Sequence, residues 1–166
     1  MPTEWIYPTV ITQFCEADVH VPWINIDQDF TQINLVRSQR DLRHIANPLV
    51  NDIKMKTYFL VLKGFEFINL PDVITGIEAY IDIRRTGRIT DETIQLYRNG
   101  PLGGNLGTGK LDNLQTYGGA NSLWGLETIS PNILDEEFGL VLRYQSHPNW
   151  PHQTTPNMEH VQIRVW

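Results

Sequence analysis

The sequence predicts an all-β protein: a single antiparallel β-sandwich domain over residues 1–166, of jelly-roll type, with about eight to ten strands and only short helical turns. Three observations carry this prediction. Apolar and polar residues alternate in several segments, as in strands that bury one face. No segment of about ten residues or more has the apolar face of an amphipathic helix. The glycine-rich segment 117–125 has the composition of a tight corner between strands.

The clearest predicted strands lie in the second half of the chain. Apolar and polar residues alternate over 77–84, so that one face of this strand would lie against a core. The segments 93–98, 138–144 and 161–166 show strand-like patterns as well. Residues 99–101, Asn-Gly-Pro, are typical of a turn and end the second of these four strands.

The first half of the chain predicts strands less regularly. Residues 53–63 pass from alternation to a continuous apolar run, as in a strand that moves from a sheet edge to its centre. The segment 65–68 is expected to extend that strand. Short strands are expected at 5–6, 10–12 and 19–21, among prolines that suit edges and turns.

Helix is expected only as a turn or two, near residues 37–46 and 131–137. Ser130 is a suitable N-cap for the second of these turns, because a serine hydroxyl accepts a hydrogen bond from the first helical N–H groups. Pro131 then occupies the first helical position, where its missing N–H costs nothing.

Composition and charge narrow the possible functions. The chain is 41% apolar and 10% aromatic, which argues against disorder, and no apolar run approaches the roughly 20 residues that span a bilayer. The net charge of −6 disfavours binding along a nucleic-acid backbone. The one dense basic group, Arg37, Arg40 and Arg43, is expected to be a solvated face or a protein contact. We therefore expect neither a nucleic-acid nor a membrane partner, and no secretory signal is visible.

Three motifs invite a chemical interpretation that their context does not favour. Residues 104–110 match part of a phosphate-binding loop, but Leu111 stands where Ser or Thr should hold Mg²⁺ and no helical pattern follows. His147 and His152 are too few for a metal site. The acidic residues 135–137 suit a helix start better than acid–base catalysis. The sequence therefore predicts no catalytic residues, no metal and no cofactor, and a protein that is not an enzyme.

Two segments are singled out as a structural corner and as a candidate contact surface. The corner is expected to turn sharply at its glycines while the indole of one residue folds back over the sheet. Its residues are Tyr117, Gly118, Gly119, Trp124 and Gly125. The contact surface lies before the last strand, where an exposed Trp among hydrogen-bonding residues could stack on a sugar or anchor a protein, or could instead fold onto its own sandwich. Its residues are Tyr144, His147, Asn149, Trp150 and His152. The 100–110 loop is a second expected contact.

Several sequence blocks together resemble a family of small β-sandwich structural proteins of tailed bacteriophage virions. These blocks are Tyr58–Phe67, Ile74–Arg85, Asp91–Leu96, Thr116–Gly125, Phe138–Leu142 and Glu159–Trp166. Weaker similarity lies around Trp5 and Trp23. The sequence departs from the family pattern in having Leu111–Leu114 where a Trp is usual, and its first fifty residues match poorly. The resemblance implies a β-sandwich without catalytic residues, used in the tail, baseplate, fibre, neck or capsid surface.

The sequence thus favours a non-enzymatic virion component that is assembled in a host cytoplasm and acts through protein–protein contacts. Its expected partners are other virion proteins and further copies of itself in a symmetric assembly. Tail, baseplate, fibre attachment or neck is the expected place. A capsid decoration protein and a carbohydrate-binding, receptor-recognising module remain as alternatives, the latter because jelly rolls often host glycan sites.

Overall fold

The computed structural model describes residues 1–15, 22–24, 36–38, 44–45, 53–54, 56–85, 89–109, 114–146 and 156–166. Two antiparallel sheets pack face to face, so the predicted all-β antiparallel sandwich is confirmed. The strands are β1 (Val10–Phe14), β2 (Trp23–Ile24), β3 (Val36–Ser38), β4 (His44–Ile45), β5 (Ile53–Lys54), β6 (Phe59–Lys63), β7 (Ile77–Arg85), β8 (Ile89–Arg98), β9 (Pro101–Leu102), β10 (Leu114–Gly118), β11 (Phe138–Ser146) and β12 (Pro156–Val165).

The front sheet has the order β1-β6-β11-β8-β9 and the back sheet the order β10-β7-β12-β3-β2, while β4 and β5 pair separately. Strands β3 and β6 to β12 can be numbered 1 to 8 in chain order. With these numbers the back sheet has the strand order 1-8-3-6 and the front sheet has the order 2-7-4-5. This alternation between the sheets is the strand order of a jelly roll. Strands β1 and β2 extend the two sheets at the same side of the sandwich.

The core lies between the inner faces of the two sheets. Strand alternation buries one set of apolar residues from each sheet, and each fully buried aliphatic side chain of this size contributes about 1.5–3 kcal/mol. The front sheet supplies Leu60, Leu62, Ile94, Leu96, Leu140 and Leu142, and the back sheet supplies Ile77, Ala79, Ile81, Ile83, Val161, Ile163 and Val165. The predicted inward face of residues 77–83 is therefore the one that packs.

Strand β6 is shorter than the sequence predicts, because it ends at Lys63 and residues 65–68 do not continue it. Gly64 has a φ of 72°, in the left-handed region that glycine tolerates, and its N–H donates to the Glu136 carbonyl at 3.1 Å. Phe65 turns inward instead and is buried in the core. The chain thus leaves the sheet at Gly64.

The expected helical turn near 37–46 is wrong where the structure describes it, because residues 36–38 and 44–45 are strands. Pairing with β2 and β12 supplies β3 with the backbone hydrogen bonds that a helix would have made internally. The second expected turn is present as a short 3₁₀-helix, Pro131–Ile133, and the Ser130 hydroxyl accepts from the Asn132 N–H at 3.4 Å. The strand expected at 19–21 lies outside the described residues.

Candidate functional site

The corner at 117–125 is closed by an indole that reaches a neighbouring strand. Trp124 is only 1% exposed, and its Nε1 donates to the Ile77 carbonyl at 2.9 Å. Gly118 has a φ of 78°, and a side chain there would begin 2.2 Å from the Ile77 carbonyl oxygen and 2.7 Å from the Trp124 Nε1. A side chain at position 118 would therefore block the indole. Gly119 and Gly125, also at positive φ, complete the turn.

Tyr117 connects the corner to the opposite sheet. Its hydroxyl donates to Asp91 Oδ2 at 2.7 Å, so that a side chain from β10 meets one from β8 across the core. Asp91 also accepts from the Thr108 N–H at 3.0 Å and the Thr108 hydroxyl at 2.9 Å. An unpaired buried carboxylate is costly, and these hydrogen bonds satisfy the carboxylate of Asp91. They also fix the loop before β10 to both sheets.

Asn105 helps to hold the loop at 103–109 against β8. Asn105 Oδ1 accepts from the N–H groups of Ile94 at 2.9 Å and Gly107 at 2.8 Å, and its Nδ2 donates to the Glu92 carbonyl at 2.9 Å. The next described residues form strand β10 and not a helix. The bonds of Asn105 give this loop a structural use in the sheet.

A shallow groove crosses the outer face of the front sheet beside this loop. Phe14 and Phe59, opposite each other on β1 and β6, stack with centroids 4.9 Å apart and planes at 21°. The Arg143 guanidinium lies 3.9 Å above the Phe59 ring. Phe14 remains 41% exposed. The groove, here called the aromatic groove, has a volume of about 280 Å³ and is lined by Phe14, Phe59, Thr93, Gln95, Pro101, Asn105 and Val141.

An ion-pair cluster stands at one end of the aromatic groove. Glu92 accepts from Arg143 Nε at 2.7 Å and Nη2 at 2.8 Å, from Lys56 Nζ at 3.1 Å and from the Thr93 hydroxyl at 2.6 Å. Burial of Glu92 opposes its ionisation. The hydrogen bonds from Arg143, Thr93 and Lys56 outweigh that effect and lower the pKa of Glu92 to about 2. The cluster is therefore charged at neutral pH and holds Arg143 over Phe59.

Most polar groups that line the aromatic groove are already bonded within the protein. Asn105 uses its oxygen and its nitrogen on backbone groups, Gln95 Nε2 donates to the Gly103 carbonyl at 2.6 Å, and the Thr93 hydroxyl donates to Glu92. A ligand at the groove therefore meets chiefly the rings of Phe14 and Phe59. This arrangement suits an apolar anchor from another macromolecule better than a polar small molecule.

The predicted contact surface is corrected at the one member that the structure describes. Tyr144 is 2% exposed and lies in the core, with its ring 6.3 Å from that of Trp23. Strand β11 continues to Ser146, so Tyr144 joins the inward face of that strand. Burial, followed by the nearby Asp91 charge, raises the pKa of Tyr144. The other four members, His147, Asn149, Trp150 and His152, lie outside the described residues.

The sequence held a signal for the aromatic groove that alternation alone does not reveal. Residues 59–62 and 140–142 are continuous apolar runs, which places apolar side chains on both faces of β6 and β11. Val61 and Val141 pair in register on the outer face and are buried there at 2% and 1% exposure. The role of Phe14 and Arg143 depended on strand register, which pairs residues far apart in the chain.

Among the described residues, no group of three or more His, Cys, Asp or Glu side chains is placed to hold a metal ion. In the same part of the chain, no helix has the length and apolar character needed to cross a membrane.

Comparisons with protein-family models, with curated proteins and with solved structures give no match to this chain.

Proposed function

We propose that this protein is a non-enzymatic structural component of a tailed-phage virion, in the tail, baseplate, fibre attachment or neck, and that it acts through protein–protein contacts. The observation that carries the contact role is the aromatic groove. Its exposed Phe14 offers an apolar anchor point, while Asn105 and Gln95 at its rim are engaged internally. Aromatic side chains that become buried when a partner binds contribute much of the binding energy of protein interfaces.

The virion role is supported by the set of sequence blocks quoted above. In the structure these blocks lie in the central strands β6, β7, β8, β11 and β12 and in the corner at 117–125. They thus belong to the parts that determine the jelly roll. Jelly rolls occur in viral and in lectin domains alike, so the fold is compatible with the proposal without selecting it.

The proposal is tested by placing a photo-crosslinker in the aromatic groove. Phe14→p-benzoylphenylalanine is incorporated during phage production, and the purified particles are irradiated and analysed by quantitative peptide mass spectrometry. We expect the chain at a few to a few dozen copies per particle, with crosslinks from position 14 to another virion protein or to a second copy.

The matched control is Ile68→p-benzoylphenylalanine, because Ile68 is also an exposed apolar residue but does not line the groove. Crosslinks that are equally frequent from both positions would contradict the groove as the contact. Absence of the chain from purified particles would overturn the virion role. Hundreds of copies per particle would favour the capsid decoration alternative.

Carbohydrate binding, the alternative function, can be tested directly by Trp fluorescence. Soluble cell-surface sugars would change the Trp fluorescence in a saturable way, and Trp150→Ala would abolish that change. The internal bonding of Asn105 and Gln95 leaves few donors and acceptors for sugar hydroxyls at the aromatic groove. A glycan site would accordingly have to lie elsewhere.

A further inference from the structure

A second hollow lies at one end of the sandwich, where β7 begins and β10 ends. Its walls are the loop 72–75 and the segment 121–131, and its volume is about 600 Å³. Val73, Ile74, Leu123 and Ile129 give it an apolar lining. Val73 is 73% exposed, although its neighbour Ile74 is buried in the core. We call this hollow the end cleft.

Backbone hydrogen bonds hold both walls of the end cleft in place. Thr75 donates from its N–H to the Trp166 carbonyl at 2.9 Å and from its hydroxyl to the Ala120 carbonyl at 3.0 Å. Ile77 N–H donates to the Ser122 carbonyl at 3.0 Å. At Gly76 the two walls approach so closely that a side chain would begin 2.1 Å from the Gly119 carbonyl oxygen. A ligand therefore meets a preformed site and orders little on binding.

Two exposed carboxylates give the rim of the end cleft negative charge. These are Asp72 and Glu127, and neither has an ion-pair partner among the described residues. No Lys or Arg is found among the described residues that line the cleft. Elsewhere, by contrast, Glu78 pairs with Arg164 and Asp135 pairs with Arg98. The end cleft thus combines an apolar floor with uncompensated carboxylates.

We propose that the end cleft binds a segment of another protein that presents an apolar side chain beside a Lys or Arg. The apolar side chain would cover Val73 and enter between Ile74 and Ile129, and the cation would meet Asp72 or Glu127. Asn121 and Thr128, polar side chains exposed at the same rim, are available to the backbone of the bound segment. This inference rests on the proposed protein–protein role but not on the virion location.

The test uses the full chain and a random heptapeptide library presented by mRNA display, followed by fluorescence anisotropy of the enriched peptides. We expect enriched peptides to pair an apolar residue with at least one Lys or Arg. Reversal of the rim charge in Asp72→Lys/Glu127→Lys should weaken their binding about tenfold or more, because the charge pairs would become repulsive. Val73→Ser should weaken it as well, because it removes the exposed apolar contact without changing the charge of the cleft.

Glu66→Lys is the matched control, since Glu66 is an exposed carboxylate outside the end cleft and its reversal changes the net charge in the same direction. Binding should stay within about twofold in this variant. A selection that enriches no peptide, or peptides that bind the double variant equally well, would overturn the inference. Self-association in sedimentation that the double variant abolishes would overturn it too, because the occupant would then be a second copy. None of these outcomes depends on whether the chain is found in particles.

Discussion

The aromatic groove and the end cleft are both apolar hollows, but they differ in what their polar groups do. At the groove, Glu92, Asn105 and Gln95 are bonded to partners within the protein. At the cleft, Asp72 and Glu127 have no such ion-pair partner among the described residues. The groove therefore presents apolar surface, whereas the cleft presents apolar surface together with charge.

The apolar lining of a hollow therefore does not by itself determine which ligand it binds. A charged residue beside the groove serves the fold, since Glu92 fixes Arg143 over Phe59. A charged residue beside the cleft remains available to a partner. Interactions at the groove should thus respond weakly to salt, and those at the cleft should weaken as salt screens the rim.

Trp124→Ala should have the largest effect, because it removes a buried indole and its hydrogen bond to the Ile77 carbonyl. The corner that this indole closes borders both hollows, since Trp124 contacts Gly104 of the loop beside the groove through the backbone and Leu123 lines the cleft. We expect the free energy of unfolding to fall by about 3–5 kcal/mol, as for other large buried aromatics. Thermal and urea denaturation measure the change. An unchanged melting temperature would show that the indole does not anchor the corner.

Glu92→Gln should come next and should act at the groove alone. It removes the carboxylate charge that accepts two hydrogen bonds from the guanidinium of Arg143, a residue only 7% exposed. We expect a loss of about 1.5–3 kcal/mol, the usual range for hydrogen bonds to charged groups. Peptide binding at the end cleft should not change, and a parallel loss there, measured with the folded variant, would show that the two hollows are coupled.

The same cluster makes stability depend on pH. The pKa of Glu92 is lowered in the folded protein from 4.5 to about 2, so its contribution to stability is present above the unfolded value and is lost as the pH falls between these two values. Glu92→Gln should therefore flatten this part of the curve of unfolding free energy against pH. Asp135, whose pKa the Arg98 hydrogen bond also lowers, is present in both proteins and does not affect the comparison.

Phe14→Ala should have a smaller effect on stability and a larger one on contacts. Phe14 is partly exposed and its stacking on Phe59 contributes about 1 kcal/mol, the range of aromatic pairs. Urea denaturation should show a loss of that size. A photo-crosslinker in place of the neighbouring Thr12, which faces the same side of β1, should lose its crosslinks in assembled particles when Phe14 is replaced by Ala. Their persistence would place the contact outside the groove.

Val73→Ser should have the smallest effect on folding, within about 0.5 kcal/mol, because an exposed side chain loses little on truncation. Binding of the selected peptides at the end cleft should nevertheless weaken measurably in anisotropy titrations. A substantial loss of stability would instead show that Val73 packs within the fold, and the end cleft would then lack its apolar contact point.

The sequence predicted the fold well where one face of a strand is polar. Alternation over 77–84 identified β7, and the glycines at 118 and 119 identified the corner. The start of β8 was missed because Thr90-Asp91-Glu92 has the composition of a turn. In the structure, the buried Asp91 bonds to Tyr117 and the half-buried Glu92 bonds to Arg143, and both partners are remote in the chain.

The aromatic groove and the end cleft are less predictable from the sequence, because each is formed by residues that are remote in the chain. Phe14 meets Phe59 only through the register of β1 on β6, and Val73 and Ile129, far apart in the chain, line one hollow only through the fold. Tyr144 is the last residue of the predicted strand 138–144, and its burial with Leu140 and Leu142 agrees with that strand and not with the expected contact surface. Local patterns define faces of strands, but they do not define which strands become neighbours.

The side chain of Gln13 has a consequence for aggregation. Its amide accepts from the Trp23 N–H at 2.7 Å and donates to the Trp23 carbonyl at 3.0 Å, as a neighbouring strand would do. In the described part of the chain, β1 and β2 are the terminal strands of the two sheets, so this amide joins one open margin of the sandwich to the other. Unpaired edge strands recruit strands from other molecules. We expect Gln13 to oppose such pairing at Trp23, because its side chain occupies the N–H and the carbonyl that an added strand would use.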